Sequence, residues 1–73
     1  MNLYLLTRKD DIGYNQYDAL VVAADTAEAA LKIEVPEGWL EPEYVPEYIS
    51  VKQIGVACDD IQEGIILGSY NAA

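Results

Sequence analysis

Apolar positions in this chain fall into short runs whose spacing changes from two to nearly four and back to two. Asn2–Arg8 (NLYLLTR) reads as a first strand, with Leu3 and Leu5 on one face and Tyr4 and Leu6 on the other. Apolar residues on both faces predict a central position in a sheet. Lys9–Gln16 (KDDIGYNQ) has the polar and glycine content of a connection. Tyr17–Ala24 (YDALVVAA) predicts a second strand, with Ala19, Val21 and Ala23 on one face, Leu20 and Val22 on the other, and Asp18 near its entrance.

The period then lengthens. Asp25-Thr26-Ala27-Glu28 has the form of a capping box, in which the Asp25 carboxylate accepts from the backbone N–H of Glu28 and Glu28 reaches back. Ala27, Ala30 and Leu31 follow at helical spacing, and alanine has the best helix propensity, so a helix is expected at about residues 26–34. Pro36 stops it by Val35 at the latest. Pro36–Tyr48 (PEGWLEPEYVPEY) fits neither period. It holds all three prolines, the only tryptophan, two tyrosines and four glutamates, and reads as an ordered, partly extended excursion. Ile49–Cys58 predicts a third strand with a bulge or close approach at Gly55, Asp59–Gly64 a turn, and Ile65–Tyr70 the last strand.

The expected architecture is a single α+β domain over residues 1–73, ordered β-β-α-β-β. The sheet is expected to be wholly antiparallel with strand order 2-1-3-4 and one helix on one face. Tyr4, Leu6, Leu20 and Val22 form a candidate set for one face, but the pattern does not say which face the helix covers. The other face stays open.

Composition narrows the functions. The 73 residues carry 13 acidic and 4 basic side chains and no histidine, for a net charge of −9, yet 52% are hydrophobic, which argues against disorder. A lone cysteine, Cys58, precludes an intramolecular disulfide, fits a reducing cytoplasm, and without histidine argues against a zinc site. Following Val56 and Ala57, it is expected to be a buried structural thiol. No run of 18 apolar residues is present, and the apolar start at Met1–Leu6 precedes its charges, the wrong order for a signal peptide. A surface this negative repels nucleic-acid phosphate and anionic membranes and attracts basic surfaces. Solubility alone is the bland alternative.

Few constellations carry chemistry. Pro36-Glu37, Pro42-Glu43-Tyr44 and Pro46-Glu47-Tyr48 repeat a short theme. Proline lowers the entropy lost on docking, aromatic rings supply rigid contact area, and the carboxylates suit arginine or lysine on a partner. The competing reading has Trp39 and Leu40 folding back to cap a thin core, with the glutamates solvated. The acidic turns at Asp10-Asp11 and Asp59–Glu63 lack the EF-hand spacing, so no metal and no cofactor are expected. Cys58 has no histidine to activate it, and no phosphate-cradling glycine loop is present. Imitation of DNA by the carboxylates is conceivable in number, but their scatter does not reproduce a phosphate spacing.

The opening NLYLLTRKDDIGYNQYDALVVAA, the alanine-rich helix and the ending GIILGSYNAA resemble a group of short acidic proteins encoded by bacteriophages and prophages. The resemblance is weakest over Pro36–Tyr48. It implies a non-enzymatic protein of the host cytoplasm that binds and blocks a host protein or nucleoprotein complex, an anti-CRISPR inhibitor in its most specific form. It supplies no catalytic residues. The expected contacts with a basic surface are Tyr14, Tyr17, Trp39, Glu41, Glu43, Tyr44, Glu47 and Tyr48. A structural or assembly module that homodimerises through the open sheet face is the alternative.

Overall fold

A computed structural model describes residues 1–10, 16–35, 38–40 and 43–71, Asn71 by its backbone alone. Four strands form one sheet: β1 (Asn2–Arg8), β2 (Gln16–Ala24), β3 (Ile49–Val56) and β4 (Gly64–Asn71). Two short helices, α1 (Ala27–Leu31) and α2 (Val45–Tyr48), lie between β2 and β3. The fold is α+β and every strand pair is antiparallel, as expected.

The strand order is β3-β1-β2-β4, not 2-1-3-4. β1 does sit between β2 and β3, but β4 pairs with β2 rather than with β3. The reason lies in β2: its apolar residues occupy both faces, so it needs a neighbour on each side, as β1 does. The 57–63 connection is also longer than a tight hairpin prefers. Three strand spacings, about 14 Å, separate the edges, and seven residues reach well beyond that. Ala57 starts the crossing by donating its N–H to the Met1 carbonyl at 2.9 Å, and is buried. Cys58 lies past the end of β3 and is exposed, so the expectation of a buried thiol is corrected.

Register explains the core. Tyr4, Leu6 and Arg8 share the covered face with Leu20, Val22 and Ala24, and Ala30, Val45 and Ile49 close over them. The candidate set is therefore the face the helices cover. Leu3, Leu5 and Thr7 of β1 line up with Ala19, Val21 and Ala23 of β2 on the opposite face. The register slips next to Gly55, where the extra residue is Ile54, and twice along β2 and β4, where Asp18 and Ile66 are the extra residues.

The helical segment is shorter than expected, and its cap is one residue later. Thr26 is the N-cap, its hydroxyl Oγ1 accepting from the Ala29 N–H at 3.0 Å; the capping box from Asp25 does not form. The chain leaves the helix at Lys32 because Ile33 and Val35 turn onto the core, both partly buried against it. A further correction is α2, a single turn inside the segment read as non-periodic. Pro46 sits in its first turn, where its missing N–H costs nothing. Thr26→Ala is expected to cost about 1 kcal/mol and Asp25→Ala far less. Urea melts of the two variants check this, and equal losses would restore Asp25 as the cap.

Candidate functional site

The apolar strand β1 ends in Arg8, which falls on the same face as Tyr4 and Leu6 and is buried. Its guanidinium grips Asp10 in a fork: Nε donates to Oδ1 at 2.9 Å and Nη2 to Oδ2 at 2.7 Å. Nη1 donates to the Gln16 side-chain oxygen at 3.1 Å and to the Tyr17 carbonyl at 3.4 Å. The guanidinium carbon also lies 5.9 Å from the centre of the Trp39 ring, within cation–π reach. One buried cation thus gathers the ends of β1 and β2 and the start of the Trp39 excursion.

Two backbone hydrogen bonds extend the junction. The Tyr17 N–H donates to the Gly38 carbonyl at 2.7 Å, and the Lys9 N–H donates to the Tyr48 carbonyl at 2.8 Å. Gly38 holds φ at 101°, a conformation that favours glycine, where the chain turns toward Trp39. Gly38 and Tyr48 are therefore each tied to the sheet.

The turn that follows is the outward-facing part. Val45 is buried and anchors α2, while Glu43, Tyr44, Glu47 and Tyr48 are exposed. The Tyr44 and Tyr48 rings, four residues apart, lie 6.5 Å centre to centre at a tilt of 49°. Glu43 and Glu47 are likewise four residues apart, Glu43 just before the N-cap residue Tyr44 and Glu47 in the helix.

The expected contact residues divide on this geometry. Glu43, Tyr44, Glu47 and Tyr48 come together on one surface. Trp39 is partly buried against the core beneath the Arg8 guanidinium, which fits the capping role weighed against a contact role. Tyr17 packs on the core and meets Tyr70 edge to face, with ring centres 4.9 Å apart. A Cβ at Gly68 would come within 2.6 Å of the Tyr17 ring, so the glycine makes room for it. Tyr14 and Glu41 lie outside the described residues. Arg8, Asp10 and Gln16 were absent from the candidates. Their signal was the parity of β1, since a residue two beyond Leu6 must share its buried face.

Among the described residues, no three His, Cys, Asp or Glu side chains cluster as a metal site would require, and no helix is long and apolar enough to cross a membrane. The chain matches no family model, no curated protein and no solved structure. The resemblance to phage proteins rests on the quoted segments alone.

The Arg8 side chain, acting mainly through its hydrogen bonds, holds the Asp10 carboxyl below its ordinary value of 3.8. A carboxylate with a lowered folded-state pKa adds stability that is complete above the unfolded value and lost as pH falls through the folded one. Asp10→Asn is therefore expected to cost up to about 1 kcal/mol at neutral pH, and its deficit against wild type should close as pH drops below 3.8. Chemical denaturation of both proteins across that range tests it; a deficit independent of pH would remove the ion pair from the account.

Proposed function

We propose that the chain is a non-enzymatic binding module that docks the Glu43–Tyr48 turn on a basic surface of a partner protein. The observation that carries this reading is the exposed tyrosine pair beside two carboxylates, held on a turn whose Val45 is buried and whose Tyr48 carbonyl accepts from the Lys9 N–H of the sheet. Exposed aromatic rings with restricted backbones make efficient anchors, because little entropy remains to be lost on docking. Two carboxylates on one exposed turn suit a lysine or arginine of the partner. The net charge of −9 steers the encounter. The resemblance to bacteriophage proteins makes a host protein or nucleoprotein complex the specific partner, and inhibition of a CRISPR–Cas complex its narrowest form. Direct binding to nucleic acid or to an anionic membrane runs against the same charge.

The two halves of the site are expected to act at different stages. Capture from bacterial lysate should weaken between about 0.1 M and 1 M salt, as the screening length falls from about 10 Å to about 3 Å. With the captured partner, Glu43→Gln with Glu47→Gln should slow association about tenfold, and Tyr44→Ala should speed dissociation about tenfold. Surface plasmon resonance separates the two rates. Variants that bind with wild-type rates would remove the turn from the interface.

A further inference from the structure

The charge of this protein is not spread over its surface. Among the described residues, Asp18 is the only acidic side chain in a strand. The sheet edge at β4 carries no charge of either sign along all eight residues. Its side chains are nonetheless apolar and open to solvent: Ile65, Ile66 and Tyr70 are exposed, and Leu67 is 67% exposed. A long, uncharged, apolar edge without proline offers a row of backbone groups that no described strand pairs, an arrangement that monomeric proteins normally blunt with lysine or proline. The other edge has that protection, because β3 carries Lys52.

We propose that β4 is a dimerisation edge, on which a second copy of this chain lays its own β4 antiparallel about a two-fold axis. The charge pattern selects this partner. A basic protein gains nothing from a neutral strand, whereas a second copy, repelled everywhere else by its own net charge, meets no carboxylate along β4. The nearest along the chain is Glu63, just before the strand, while Asp18 lies inboard on β2 with its Oδ1 buried. Antiparallel pairing puts the two Glu63 residues at opposite ends of the ladder, about 26 Å apart and well beyond a screening length of about 8 Å. Parallel pairing would set them side by side. A two-fold axis perpendicular to the sheet also keeps like faces together. Leu67, on the open face beside Val21, then meets Leu67 or Ser69 of the second copy. The Glu43–Tyr48 turn leads into β3 at the far edge, so it stays free in the dimer, and the dimer presents two docking turns.

Sedimentation equilibrium of the full chain across a dilution series tests this, with circular-dichroism melts on each variant. The wild type should tend to twice the chain mass of 8.1 kDa. Its self-association should strengthen with salt, which screens the repulsion between copies, opposite to the salt dependence expected for partner binding. Leu67→Lys should raise the dimer dissociation constant by about thirtyfold. Thr7→Lys, on the open face but away from the edge, and Val56→Lys, on the β3 edge, should leave it unchanged. A wild type monomeric at every concentration and salt overturns the proposal, whatever the variants do. So does a dimer that Thr7→Lys or Val56→Lys dissociates, since the contact would then be face to face or on the other edge. Failure of partner capture leaves these masses unchanged, so the two readings fail separately.

Discussion

The interaction on which the rest depends is the burial of Arg8 at the end of β1. A guanidinium removed from water must be paired and hydrogen-bonded or its desolvation dominates. Here its donors reach Asp10, Gln16 and the Tyr17 carbonyl, and its carbon lies near the face of Trp39. Asp10, Gln16 and Tyr17 follow Arg8 within nine residues, and Trp39 comes from a segment distant in sequence. Satisfying one cation therefore fixes how β1 ends, where β2 begins and how the Trp39 segment returns to the sheet. Once that junction is set, Gly38 and Tyr48 are within reach of the Tyr17 and Lys9 amides, and the Glu43–Tyr48 turn has a fixed base.

The protein divides its chemistry by element. Among the described residues, strands hold most of the apolar side chains and almost none of the acid, while loops and helices hold the carboxylates. Carboxylates placed outside the sheet keep their hydration and cost the core nothing. They also leave two kinds of surface on one small molecule: a charged turn with tyrosines next to β3, and a neutral apolar strand at β4. Salt acts on the two in opposite directions, which gives the charge of −9 a physical role in both.

Much of this was legible in the residues, and the misreadings have physical causes. β1 and β2 read as strands because their apolar residues alternate strictly, and the same alternation marked Tyr4, Leu6, Leu20 and Val22 as one face. The placement of β4 was misread because the two-sided apolar pattern that made β1 central was not applied to β2, which has it as strongly. Asp25 and Thr26 are both good caps, and local pattern alone does not choose between neighbours; the strand bonded to β1 runs to Ala24 and decides it. The α2 turn was hidden by Pro46, which breaks a helix anywhere but in its first turn. Glu43, Tyr44, Glu47 and Tyr48 were recognisable from their repeat, whereas the junction beneath them was not. Arg8 and Asp10 look like an ordinary polar connection until the face of β1 is counted out to its last residue.

The central claim is that the Arg8 junction, rather than local propensity, holds Gly38 and Tyr48 on the sheet. Native-state hydrogen exchange on Arg8→Met tests it most directly, since methionine keeps much of the apolar bulk and removes every donor. The Lys9 and Tyr17 amides, bonded to the Tyr48 and Gly38 carbonyls, should lose protection together, while amides of the β1–β2 ladder near Leu5 and Val21 keep theirs. Lys9 and Tyr17 amides as protected as in the wild type would contradict the account.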